Sequence, residues 1–156
     1  MRIIFLDFDG VLIPIPANGG YDPDLGASKE AMANLNLLVQ VTKAEVVVSS
    51  SWREERTVTE LEVLLHSWGY RGMVLSKTEA SGGRDNEDRG QSVVDWLEKH
   101  ATIDAIESFV VIDDERTDLE SLAHRLVSPK PDVGMQFHDV QEAARILMRP
   151  TREDLS

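Results

Sequence analysis

Arg2-Ile3-Ile4-Phe5-Leu6-Asp7-Phe8-Asp9-Gly10-Val11-Leu12 is the stretch that decides the fold. An apolar run of strand type closes on two carboxylates spaced i, i+2, and then a glycine. A strand this uniformly apolar is buried on both faces, as strands of parallel sheets are. Asp7 and Asp9 then lie at its carboxyl end, which in an open α/β sheet is where ligands bind. Desolvated carboxylates are costly unless paired or bound to a metal. Their placement therefore points to a hard cation and to chemistry on an oxyanion.

The rest of the chain alternates strands with helices. After the strand at residues 2–6 comes a Gly/Pro/Asn-rich loop over 10–27. Ser28 is placed to cap a helix in which Ala31, Leu35, Leu38, Val39 and Thr42 share a face. Residues 45–50 read as a short β-branched strand, and Val58, Leu61, Leu65 and Trp68 as the next amphipathic helix. A short strand is expected at 72–75 and a polar loop at 81–89. Val93, Trp96, Leu97 and His100 mark another helical stripe. Residues 108–112 form a buried strand that ends on Asp113-Asp114. A short helix around 119–123 and a weak strand at 125–127 follow. Asp139 then caps a last helix presenting Val140, Ala143, Ala144, Leu147 and Met148. This pattern predicts an α/β doubly wound three-layer sandwich with a mainly parallel central sheet. It assigns residues 1–149 to one domain and 150–156 to a polar tail.

Composition excludes several classes of function. The 156 residues are enough for one sizeable core, and 42% hydrophobic with 28% charged residues reads as soluble and globular. The absence of cysteine rules out disulfides, thiolate metal sites and a cysteine nucleophile. No apolar run approaches the roughly 18–20 residues needed to cross a bilayer. Asp7 and Asp9 interrupt the only early apolar stretch, so a signal peptide is not expected and a cytoplasmic location is. A formal charge of −12 opposes general attraction to nucleic acid or anionic membrane.

Three strand ends carry the chemistry: Asp7 and Asp9, then Ser49-Ser50-Ser51, then Asp113-Asp114. Carboxylates from two strands suit magnesium, which takes oxygen ligands in octahedral geometry. The metal would let an anionic aspartate approach an anionic phosphate. Serine hydroxyls and backbone amides after the second strand are candidates for the phosphoryl oxygens, and a cation from the Lys77–Arg89 region would balance transition-state charge.

DFDGV, the VVVSS strand end, a basic residue before a helix, and VVIDDERTD, in that order, resemble the four motifs of the haloacid dehalogenase (HAD) superfamily. The resemblance runs from about residue 2 to 127. It implies a HAD-like Rossmannoid fold and a Mg2+-dependent phosphomonoester hydrolase working through an aspartyl-phosphate. Asp7 would be the nucleophile. Asp9 would protonate the leaving oxygen and then activate water, which requires it to hold a proton well above aspartate's usual pKa of about 3.9. Asp7, the Asp9 backbone carbonyl and Asp114 would bind magnesium, with Asp113 in support and Asp118 as a further supporting group. Ser50 is the favoured phosphate-binding hydroxyl, with Ser49 next; Gly10, Ser51, Arg53 and Lys77 complete the phosphate-binding set. Arg89 precedes a helix, as the superfamily's basic residue does, and is favoured over Lys77 and Arg84. Val11 stands where threonine is frequent, a departure that removes no functional group.

The simpler readings are weighed beside these. Asp113-Asp114 alone is a helix cap about as often as a metal site, and its pairing with DFDG decides for metal. Trp52 and Arg53 are either a substrate contact or packing plus a solvated charge. The four histidines show no ligand spacing, and the Trp68 and Trp96 stripes read as core. No lid domain fits between the motifs, so a capless member with an open site is expected. The segments SSSWRE and IDDERTD resemble the phosphatase domain of phage polynucleotide kinase and related RNA-repair proteins. That implies a 3′-phosphate on a nucleic acid end, or a nucleotide, with Arg53, Arg56, Lys77, Arg84 and Arg89 as its candidate cations. Phosphoprotein or small-metabolite hydrolysis, or a catalytically silent binding module, are the alternatives. A phosphoacceptor receiver domain carries its acid pair first and its single aspartate later, the reverse of the order here.

Overall fold

The computed structural model describes residues 1–80, 88–100 and 105–151. Strand β1 (Arg2–Leu6) lies at the centre of a five-stranded, all-parallel sheet. Its sequence explains the position: Ile4 and Leu6 enter one apolar cluster and Ile3 and Phe5 the other, so both faces need cover. With β2 (Glu45–Val48), β3 (Val74–Lys77), β4 (Ser108–Ile112) and β5 (Leu126–Val127), the order is β3-β2-β1-β4-β5. The order reverses between β1 and β4, which makes that junction the switch point where ligands bind in such sheets.

Helices α1 (Lys29–Thr42), α2 (Val58–Ser67) and α4 (Phe137–Leu147) cover the Ile4/Leu6 face. Helix α3 (Arg89–His100) covers the other face with a 3-10 stretch at Glu120–Arg125. The result is the doubly wound three-layer sandwich the sequence predicts. One helix, preceded by a loop or turn, connects β1 to β2 and β2 to β3, so no lid domain is inserted there. Among the described residues no helix is long and apolar enough to cross a membrane.

Local signals account for the boundaries. Ser28 caps α1, its Oγ accepting from the Ala31 N–H at 3.0 Å. Thr57 and Glu60 form a capping box at the start of α2. Asp88 Oδ1 accepts from the Gln91 N–H at 3.0 Å, so the polar segment ends at 88 and Arg89 is the first residue of α3.

Four expectations need correction. The strand expected at 72–75 forms at Val74–Lys77, because pairing with β2 runs on to Lys77 after an irregularity at Val46/Val47. The strand expected over 45–50 stops at Val48, since Ser50 is taken up in capping a 3-10 turn at Ser51–Arg53. Gln136, not Asp139, is the cap of α4. Asp139 lies in the first turn and reaches back, its Oδ2 accepting from the Gln136 N–H at 2.8 Å. Met148 falls beyond the helix and is 62% exposed. Residues 81–87, Arg84 included, and 152–156 lie outside the described residues.

Candidate active site

The last fully paired row of the sheet is Lys77, Val48, Leu6 and Ile112. One residue further along each strand come Thr78, Ser49, Asp7 and Asp113, still tied in order by backbone bonds. Thr78 N donates to Val48 O at 3.0 Å, Ser49 N to Leu6 O at 2.9 Å, and Asp7 N to Ile112 O at 3.0 Å. Side chains alternate along strands, so Asp7 follows Phe5, Ser49 follows Val47 and Asp113 follows Val111 on the face covered by α3. All four are at most 5% exposed. Two carboxyls and two hydroxyls thus share one row at the carboxyl edge.

Asp7, Asp113 and Asp114 each offer an oxygen within 4.8 Å of the others. Burial, then the Asp113 charge, pushes the Asp7 carboxyl well above the ordinary range, with Arg89 acting the other way. Burial likewise pushes Asp113 up to about 6, against the pull of Arg89 and of the Glu115 N–H. Three clustered acids beside one guanidinium leave an excess of negative charge. An all-oxygen donor set of this kind fits a hard divalent cation such as Mg2+. Gly10 supports the fit: it has φ +80°, and a Cβ there would overlap the Asp114 carboxylate. Among the described residues, the bonds closing this turn end on Phe8 and Ile13 carbonyls and leave the Asp9 carbonyl free of backbone donors.

Arg89 is brought to the acids by the packing of α3. Val93 and Trp96 lie in the core on this face, and Trp96 meets Phe5 edge-on at 5.4 Å. Gly90 N donates to Asp118 O at 3.1 Å, and a Cβ at Gly90 would strike that carbonyl. Asp118, expected as a supporting acid, therefore anchors the helix start through its backbone. From there Arg89 Nη1 donates to Asp113 Oδ1 and Oδ2 at 2.8 and 2.9 Å and lies 3.8 Å from Asp7.

The Asp9 side chain stands apart from the three-acid cluster. Trp52 Nε1 donates to its Oδ2 at 3.0 Å, and the Tyr21 hydroxyl donates to Oδ1. Burial and the nearby Asp9 and Asp7 charges push the Tyr21 phenol upwards, so it keeps its proton. The Asp9 carboxylate is thus engaged by protein donors, and the family resemblance assigns its carbonyl, not its side chain, to the metal.

The remaining candidates divide clearly. Ser49 Oγ is buried without a hydrogen-bond partner, whereas Ser50 Oγ accepts from Trp52 N at 3.3 Å. Ser51 is exposed. Arg53 is only 2% exposed and donates to the carbonyls of Thr78, Ser49 and Ser50 at 2.8–3.0 Å. It braces the chain just after the ends of β2 and β3. Lys77 Nζ donates to Arg53 O at 3.2 Å and Arg56 O at 2.9 Å, away from the acids. Arg56 lies over the Trp52 ring at 5.0 Å. Of the expected cations, Arg89 alone among the described residues is in contact with the carboxylates of this site.

Sequence reasoning missed Thr78 and Tyr21. Thr78 Oγ1 is, like Ser49 Oγ, buried and unpartnered; placing β3 two residues late in the chain would have found it. Tyr21 sits in an aperiodic loop where no pattern could single it out.

The model of one protein family, described as the HAD domain in Swiss Army Knife RNA repair proteins, matches residues 3–140. No curated protein matches the chain.

Proposed function

The chain belongs to that HAD family of RNA repair proteins, and on this premise we propose that it is a Mg2+-dependent phosphomonoester hydrolase acting on 3′-phosphates of nucleic acid ends or nucleotides. The observation that carries the reading is the buried row of Asp7, Ser49 and Asp113 with Arg89 across it. Such a row has little structural purpose, since clustered buried acids are destabilising.

Asp7 carries the nucleophilic carboxylate: one of its oxygens forms the new bond to phosphorus as the ester oxygen departs. Asp9 gives that oxygen its proton, then takes one from the water that cleaves the acyl-phosphate and releases inorganic phosphate. Ser49 Oγ donates to a phosphoryl oxygen in preference to Ser50; its buried, unpartnered state supports the choice, since the Ser50 hydroxyl caps the following turn. Arg89 holds Asp113 in place and adds positive charge beside the reacting group. Asp7, Asp113, Asp114 and the Asp9 carbonyl would hold Mg2+, which when bound supplies the charge that lets an anionic carboxylate approach a phosphate.

Among the described residues no lid domain separates the motifs, which leaves the edge open to a large substrate. The formal charge of −12 and the engaged state of Arg53, Arg56 and Lys77 argue for recognition of an end through few phosphate contacts, not of a long duplex.

The test is phosphate release from a 3′-phosphorylated oligonucleotide, 3′- and 5′-mononucleotides, a phosphopeptide and an aryl phosphate, with EDTA and Asp7→Asn as controls. Turnover favouring the 3′-phosphates and lost in both controls is expected. Preference for the phosphopeptide would overturn the substrate class. No release from any of them with magnesium would overturn the hydrolase reading.

A further inference from the structure

Asp9 is held from two sides by groups with no other evident purpose at the site. On the inner side, Trp52 is fixed in an aromatic cluster. It lies edge-on to Trp68 at 5.4 Å and tilted against Phe8 at 6.1 Å, with Trp68 edge-on to Phe8 at 5.6 Å. The guanidinium of Arg56 covers its ring, and Arg56 Nη1 donates to its carbonyl at 3.1 Å. An indole so confined presents Nε1 to Asp9 Oδ2 along one direction.

On the outer side, Tyr21 comes from an exposed loop. Among the described residues the other hydrogen bonds of that segment are local: Gly19 N to Pro16 O, Gly20 N to Asn18 Oδ1, Asp24 N to Asp22 Oδ1, Leu25 N to Asp22 O and Gly26 N to Pro23 O. Among the described residues, the Tyr21 hydroxyl is the hydrogen bond that ties residues 16–25 to the carboxyl edge of the sheet. A half-exposed aspartate without partners would sample several rotamers. A proton donor must instead come within about 2.6–3.2 Å of its target, and an error of about 1 Å can cost on the order of a hundredfold in rate.

We infer that Trp52 and Tyr21 are positioning residues that clamp the Asp9 carboxyl so that it meets the oxygen of the departing alcohol. The inference rests on the hydrolase reading above and assigns neither side chain a contact with substrate. Trp52 fixes one oxygen from the core, and Tyr21 steadies the other from the 16–25 loop. The clamp matters most for leaving groups that cannot depart without a proton, as a ribose hydroxyl cannot and nitrophenolate can.

The experiment compares Tyr21→Phe and Trp52→Phe on a nucleoside 3′-monophosphate and on p-nitrophenyl phosphate. The parameter is kcat/KM, which covers steps up to phosphoryl transfer. The clamp predicts that the ratio of alkyl to aryl kcat/KM falls at least about tenfold in each variant, with Tm close to wild type in Tyr21→Phe. Equal losses on both substrates would overturn it. An independent readout is the Trp52 indole N–H resonance, assigned among the three tryptophans by its loss in Trp52→Phe. Asp9→Ala should shift that resonance and speed its exchange with solvent, leaving the other two in place. An unmoved resonance would overturn the clamp whether or not turnover is seen, whereas an inactive wild type with a moved resonance would overturn only the hydrolase reading.

Discussion

Arg89 meets both oxygens of Asp113 through one nitrogen, at 2.8 and 2.9 Å, from the first residue of the helix that covers the Ile3/Phe5 face of the sheet. The contact sets the charge of the site. A carboxyl this deeply buried would otherwise hold its proton more firmly still.

Arg89→Ala should therefore separate two properties. Turnover is expected to fall about 100- to 1,000-fold, the usual loss when a preorganised charge is removed. The rise in Tm on adding magnesium should grow, because the cation then meets an uncompensated acid cluster. Steady-state kinetics and a thermal melt with and without Mg2+ check both.

Asp7→Asn should abolish turnover, with a loss of more than about a thousandfold. In EDTA it should also raise Tm above wild type, since it removes a buried charge pressed against Asp113 and Asp114. A lower Tm in EDTA would show that the acids repel less than their spacing implies.

The pH dependence of the metal-free protein has a defined sign. Asp7 and Asp113 both bind protons more tightly folded than unfolded. Their contribution is thus fully present below the unfolded value of about 4 and is lost as pH rises through the folded value, about 6 for Asp113. Melts in EDTA should show these groups destabilising the fold progressively from pH 4 to 7. With Mg2+ the trend should reverse, as metal replaces protons, so the magnesium-induced shift is larger at pH 7 than at pH 5.

Ser49→Ala and Ser50→Ala should divide binding from stability. Ser49 Oγ has no partner to lose, so its removal should leave Tm unchanged or slightly higher and raise KM severalfold. Ser50→Ala removes the acceptor of the Trp52 N–H and should cost about 1 kcal/mol of stability. Paired melts and Michaelis curves distinguish the two serines.

Much of this was legible in the sequence, for physical reasons that differ by element. The Ile3–Leu6 run has no polar residue on either face, so only a central buried strand can use it. Ser28 and the 108–112 run gave equally local signals. β3 was misplaced because Met73 and Leu75 look like strand core but are 72% and 38% exposed, while pairing with β2 decides where the strand ends. That shift hid Thr78. Arg53 and Lys77 sit where a phosphate site wants cations, yet each is turned to backbone carbonyls, a choice made by packing that spacing does not reveal. Tyr21 reaches Asp9 through loop geometry alone.

The row of Thr78, Ser49, Asp7 and Asp113 also bears on how the chain comes off the ribosome. Asp7 is made first, but the neighbours that give it a chemical role come from three later strands, the last of them β4. A nascent chain halted before β4 therefore carries an inert aspartate, with no acid cluster to gather a cation and no reactive centre to misfire. On the hydrolase proposal, activity would switch on in a single stage of synthesis, once β4 can slot in beside β1.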